Sequence, residues 1–301
     1  MAKTVGMALS GGGARGLAHV GVLRVIERLG IPIDMLAGTS MGGVVAALRA
    51  AGHTASSIEE LAGSLRLLDI LQWDRSGRGL VGRDKTAALL VEILGGDLTF
   101  DQLPIPLALT AVDLGRGEEV TLREGSVVEA VLATTALAAI FPPTEWHGRM
   151  LVDGGVLNPV PFDVVQGMGA DYVIASHTFH DLPGLLDVGE GQDDQGASAA
   201  VRLVLRRSRL AFLLRILERS MSIQSEALVA QKMQKRPPDV MIEIPLCIGL
   251  FDLDKAEGAI AAGEAAASLH TDALVKLRDS VLLKPWVRLQ HRIARALRRQ
   301  K

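Results

Sequence analysis

Three short stretches carry residue types suited to acyl transfer. Gly38-Thr39-Ser40-Met41-Gly42 reads G-x-S-x-G between an apolar run and a helix-like run, the setting of a nucleophile elbow. There the two glycines, Gly38 and Gly42, allow the sharp turn that would expose the Ser40 hydroxyl. A serine hydroxyl is a weak nucleophile at neutral pH and needs a proton acceptor within hydrogen-bond reach. Asp153, in Leu151-Val152-Asp153-Gly154-Gly155, closes another apolar run and is the candidate base. The loop Gly11-Gly12-Gly13-Ala14-Arg15-Gly16 offers backbone N–H groups that would stabilise an oxyanion formed at Ser40.

The same loop has a rival reading. Gly11, Gly13 and Gly16 satisfy the G-x-G-x-x-G spacing of dinucleotide sites, after a strand and at the opening of a helix. That reading requires an acid at the far end of the next strand to hold a ribose. Asp34 stands at the start of that strand, and Gly38-Thr39-Ser40 occupies its end. The oxyanion reading is therefore preferred, and no cofactor is expected. A Ser-Asp-His triad would draw its histidine from His177 or His180, near the end of a strand that follows Asp153. His19, one helical turn past Gly16, reads as a packed helix residue. No histidine and carboxylate pair shows a metal-binding spacing, so a metal-independent reaction is expected.

These residues need a scaffold. Residues 4–10 read as a strand and residues 14–29 as a helix with apolar Leu17, Val20, Leu23 and Val25 near helical spacing. Residues 33–40 follow as a second strand, and residues 41–52 as a helix ended by Gly52. Further strands are expected in residues 106–114, 118–122, 149–155, 171–179 and 239–246, with helices over 198–236 and 255–269. Strands alternating with helices argue for a three-layer α/β/α sandwich around a mostly parallel sheet. No internal repeat or clean linker divides the chain. We expect one body over residues 1–270, followed by a basic helical extension over 271–301.

At 301 residues and 49% hydrophobic content the chain can bury a sizeable core. A formal charge of −2 gives no general case for nucleic acid. The single cysteine, Cys247, excludes an intramolecular disulfide and reads as a small buried residue, which fits a reducing cytosol. No signal-peptide run precedes the glycines, and no apolar run is long enough to span a bilayer, so a cytoplasmic location is expected. Charge is uneven along the chain. The stretch 181–198 has five acids and no base, which suggests a mobile loop able to act as a lid. In 284–301, Trp286, Leu289, Ile293 and Leu297 share one helical face, with Arg288, Arg292, Arg295 and Arg299 elsewhere. Leu203, Leu210, Leu214 and Leu217, beside Arg202, Arg206 and Arg209, repeat that pattern. Both suggest peripheral contact with an anionic membrane surface.

The glycine loop at 11–16, the elbow at 38–42 and the Asp-Gly-Gly at 153–155, in this order, resemble the patatin-like phospholipase family. Residues 133–155 are similar to the block that leads into that family's aspartate, and weaker similarity extends to about residue 270. The resemblance implies an α/β sandwich and hydrolysis of phospholipid or lysophospholipid acyl esters by a Ser-Asp dyad. It assigns Ser40 as nucleophile, Asp153 as base, and Gly11, Gly12 and Gly13 as oxyanion donors. Arg15 matches the family's loop arginine, acting at the oxyanion or pairing with a carboxylate. One departure is local: Ala138 and Ala139 stand where many members carry proline and glycine before Phe141-Pro142-Pro143. The alternatives on the same fold are a transacylase and a lipid-binding protein without turnover; the intact Ser40 and Asp153 disfavour the second, and nothing in the sequence separates water from another acyl acceptor.

Overall fold

The structure is a computed structural model and describes residues 3–64, 82–138, 140–180 and 209–282. The expected lid at 181–198, the extension beyond residue 282 and the start of the basic helix near residue 202 lie outside the described residues, as does Ala139.

Strand β1 (Val5–Leu9) enters a 3-10 turn at Gly13–Leu17 and then helix α1 (Ala18–Arg28). The helix begins later than the apolar spacing alone predicts, because the glycine loop occupies its expected first turn. Strand β2 (Met35–Gly38) leads directly to α2 (Ser40–Ala51), which ends at Gly52 with φ 110°. Helices α3 (Ala55–Ser64) and α4 (Asp84–Leu94) precede β3 (Leu107–Asp113), β4 (Glu118–Leu122) and α5 (Val127–Thr134). A short hairpin follows, β5 (Thr144–Trp146) and β6 (Arg149–Asp153). Its two turn residues, His147 and Gly148, have φ of 48° and 75°, the positive pair that matches the twist of a tight hairpin. Then come α6 (Phe162–Gly167), β7 (Tyr172–His180), α7 (Arg209–Lys235), β8 (Val240–Leu246), α8 (Ala256–Leu269) and α9 (Thr271–Leu282).

Among the described residues one eight-stranded sheet has the order β5-β6-β3-β2-β1-β7-β8, with β4 on β3. The run from β3 to β8 is parallel, whereas β4, β5 and β6 pair antiparallel. Side chains alternate across the sheet. Met7, Leu9, Leu36, Leu109 and Ile174 face the larger core beside α1, α2, α5 and α8. Ala8, Ala37, Ala108 and Ala175 face the opposite side, where α6 and Val229 of α7 lie close. The layers are therefore helix, sheet, helix, as the alternation of elements predicts. Leu274, Leu277 and Val281 of α9 belong to the larger core, so the described start of the 271–301 segment packs onto the same body. Cys247 is exposed, not buried: along β8 buried and exposed residues alternate, and Cys247 continues the exposed set.

Candidate active site

Ser40 follows β2 by two residues and opens α2, with φ 53°. A non-glycine residue in that region stores on the order of 1–2 kcal/mol of strain, which the surrounding contacts must offset. Those contacts are tight. A Cβ on Gly42 would lie 2.2 Å from the Ser10 carbonyl oxygen, and one on Gly38 would lie 2.6 Å from the Gly42 oxygen. Both outer positions of the elbow therefore have room only for hydrogen. The Ser40 N–H donates to Thr134 Oγ1 at 2.9 Å, a partner on α5 that the local sequence pattern does not reveal.

Asp153 reaches Ser40 by strand geometry. Leu109 pairs with Gly38 of β2 and Leu122 of β4, so those two strands take opposite edges of β3. Ala111 pairs with Val120 of β4 and Asp153 of β6, which puts β6 on the edge that β2 holds two residues earlier. The strands run toward each other along that edge, and their C-terminal ends meet. Ser40 Oγ donates to Asp153 Oδ2 at 2.6 Å, and the Gly155 N–H donates to Oδ1 at 2.8 Å. Burial pushes the Asp153 carboxyl up to about 6, against the two hydrogen bonds that favour its ionised form. Such a group is largely ionised at neutral pH yet close enough to it to exchange a proton.

The glycine loop lies beside the elbow, with a Cβ built on Gly11 coming 3.3 Å from Ser40 Cβ. The Gly11 N–H donates to the Pro159 carbonyl at 3.0 Å. Gly11 is therefore a spacer in this arrangement, and its N–H is committed elsewhere. The N–H groups of Gly12 and Gly13 meet no acceptor among the described residues, and both glycines line the same cavity as Ser40. Arg15 Nη1 donates to Glu218 Oε1 of α7 at 2.9 Å and to the Ile248 carbonyl at 3.0 Å. Its charge is met by a carboxylate and braces the loop against α7.

His177 and His19 take other places, and the side chain of His180 lies outside the described residues. His177 is buried on β7, with Nε2 3.3 Å from Glu226 Oε1 but without the alignment of a hydrogen bond. Asp153 accepts from Ser40 and Gly155, and no histidine is hydrogen-bonded to Ser40 or Asp153 among the described residues. His19 is wholly buried between β1 and β7, and desolvation pushes it down to about 4. Asp34 accepts from the Val5 N–H at 2.9 Å, tying down the start of β1, at the opposite end of the strand from the glycine loop. No group of three or more His, Cys, Asp or Glu among the described residues could hold a metal ion.

Ser40 and Asp153 open onto a cavity of about 280 Å³. Met41, Val44 and Leu48 of α2, Ile58 of α3, and Leu90 and Ile93 of α4 supply much of its wall. An apolar pocket with a few convergent polar groups is the usual form of a small-ligand site.

The family model for patatin-like phospholipases matches residues 7–165, which include the glycine loop, the elbow and Asp153. The chain belongs to the patatin-like phospholipase family. It is 38% identical over 177 residues to an uncharacterised NTE family protein of Mycobacterium tuberculosis, covering 57% of this chain and 48% of that protein. It is 31% identical over 206 residues to the neuropathy target esterase sws of Drosophila melanogaster, covering 64% of this chain and 13% of the fly protein. The chain thus spans about half the length of the mycobacterial relative and a small part of the fly one. Among solved structures, VipD from Legionella pneumophila superposes with a TM-score of 0.54 at 12% identity, over 92% of this chain and 67% of that one. That likeness is one of fold. No described helix of this patatin-like chain is long and apolar enough to cross a membrane.

Proposed function

We propose that the chain is a serine acyl hydrolase of phospholipase A or lysophospholipase type, working through a Ser40–Asp153 dyad. The observation that carries this reading is the 2.6 Å hydrogen bond from Ser40 Oγ to a buried carboxylate beside an apolar cavity. Asp153 takes the Ser40 proton as Oγ attacks the acyl carbonyl carbon. The N–H groups of Gly12 and Gly13 receive the negative oxygen. Collapse of the tetrahedral adduct breaks the ester bond, and the leaving alcohol takes the proton from Asp153, leaving an acyl-serine. Asp153 then deprotonates water, which attacks the acyl-serine. The second collapse releases the fatty acid, and the proton returns to Ser40 Oγ. Family membership supports a lipid ester as substrate, and the apolar wall formed by α2, α3 and α4 suits an acyl chain.

Hydrolysis of a medium-chain p-nitrophenyl ester by wild type, Ser40→Ala and Asp153→Ala tests the reading, with labelling by a fluorophosphonate probe in parallel. Loss of turnover and labelling in a folded Ser40→Ala variant supports it. A folded wild type that neither turns over nor labels overturns it. A lipid substrate also implies action at an interface, and the basic residues in 284–301 support reversible contact with anionic lipid. Failure of the full chain to co-sediment with anionic vesicles at low salt overturns that part.

A further inference from the structure

The polar side chains behind the glycine loop form a chain of contacts that the dyad does not use. Thr178 Oγ1 of β7 donates to the Gly11 carbonyl at 3.0 Å, and Ser10 Oγ lies 3.0 Å from the same oxygen. The Thr178 N–H donates in turn to Ser10 Oγ at 2.9 Å. His19 Nε2 lies 2.9 Å from the Ser10 carbonyl, which can only accept, so Nε2 carries a proton. In the neutral ring Nδ1 then accepts from Ser176 Oγ at 2.8 Å. Ser10, His19, Ser176 and Thr178 are all buried. This is a satisfied network built around two consecutive peptide carbonyls of the loop.

The second of those carbonyls matters most. The Gly11 C=O and the Gly12 N–H belong to one trans peptide plane, so they point in opposite directions. Holding the carbonyl toward β7 therefore aims the Gly12 N–H away from β7. That N–H has no acceptor among the described residues, and Gly12 lines the cavity that holds Ser40. A glycine peptide left without an anchor rotates easily, because no Cβ restricts it. We infer that Thr178, with Ser10, is a positioning residue for the oxyanion hole: by gripping the Gly11 carbonyl it fixes the orientation of the Gly12 N–H. The inference rests on the hydrolase reading above. Donors set in place before the reaction are worth more than donors that must reorient during it.

The test compares wild type, Thr178→Val and Thr178→Ser on a p-nitrophenyl ester and on the matching thionoester, in which sulfur replaces the carbonyl oxygen. Thr178→Val keeps the shape and removes the hydroxyl. It is expected to lower kcat about 10- to 100-fold with KM changed less than about twofold, the pattern of an interaction made only in the transition state. Thr178→Ser is expected to recover kcat to within a few-fold. Sulfur accepts hydrogen bonds poorly, so Thr178→Val should lose more on the oxygen ester than on the thionoester. A merely structural role moves both esters alike and is not rescued by serine. If Thr178→Val does not fold, Ser10→Ala is judged on the kcat, KM and thionoester criteria. An active wild type with Thr178→Val at full kcat, or with equal losses on both esters, overturns this inference alone. A wild type inactive on every ester overturns the hydrolase reading and this inference with it.

Discussion

Ser40 and Asp153 are separated by 113 positions in the chain and by 2.6 Å in space, because β2 and β6 end against each other on one edge of β3. The Ser40–Asp153 pair is thus held by backbone pairing on both sides. Neither side chain depends on a long or flexible arm, which suits chemistry requiring sub-ångström placement.

The dyad predicts an acid limb in the pH profile. In the proposed mechanism Asp153 acts only when ionised, so kcat/KM should be full above its value and fall tenfold per pH unit well below about 6. Initial rates between pH 4.5 and 8.5 measure this, and a profile flat down to pH 4.5 contradicts it. Asp153→Asn should lose activity by about 10³-fold or more, since asparagine cannot take the proton.

Stability should show two opposed titrations. His19 drops from 6.5 to about 4 on folding, so below pH 6.5 the unfolded chain takes up a proton that the native state refuses. Its contribution is present above 6.5 and is lost as pH falls toward 4. Asp153 rises from 3.8 to about 6, so over that window the native state takes up the extra proton and gains stability as pH falls. Each amounts to roughly 3 kcal/mol at most. Asp153→Asn removes the compensating half. Urea midpoints should therefore drop further between pH 7 and pH 4.5 in this variant than in wild type, and the variant should be the more stable protein at pH 8.

Two helical glycines should respond with opposite signs. Gly42→Ala forces a Cβ against the Ser10 and Leu9 carbonyls and should destabilise by about 2 kcal/mol or more while reducing activity. Gly258 of α8 has open space around its Cα, so Gly258→Ala should stabilise by about 0.5–1 kcal/mol and leave turnover unchanged. Denaturant midpoints of the two variants decide the matter.

Arg15 and Glu218 form a largely buried ion pair between the glycine loop and α7. Arg15→Met removes the charge-assisted contacts to Glu218 and to the Ile248 carbonyl and should cost about 1–3 kcal/mol. The double variant with Glu218→Leu should cost less than the two single changes combined. A double-mutant cycle measures the coupling, expected at about 1–3 kcal/mol, and a value near zero contradicts the bracing role.

The local parts are legible from residue order alone. The glycine positions of the elbow, the strands at β1 and β8, and the helix end at Gly52 follow from sterics and apolar content within a few residues, and the structure has each of them there. Motif order was sufficient for the family, and the strand-helix alternation for the layered fold. Helices α3 and α4, which wall the cavity, carry no chemical motif, and the sequence reading assigned them nothing.

How distant parts share edges and donors follows from the folded arrangement and not from local sequence. β6 looks like any apolar strand, and nothing local says that it opposes β3 and meets β2 end-on. The Gly11 N–H reads as a free donor until Pro159, far along the chain, takes it. Arg15 reads either as an oxyanion contact or as a partner for a carboxylate, and the carboxylate beside it, Glu218 of α7, comes from far along the chain. Cys247 reads as buried from its apolar neighbours, whereas its side of β8 is fixed by pairing with β7. In each case the deciding partner is remote. Residue type and spacing set what a group is able to do, and pairing across the fold determines whether that capacity is used at the site or within the scaffold.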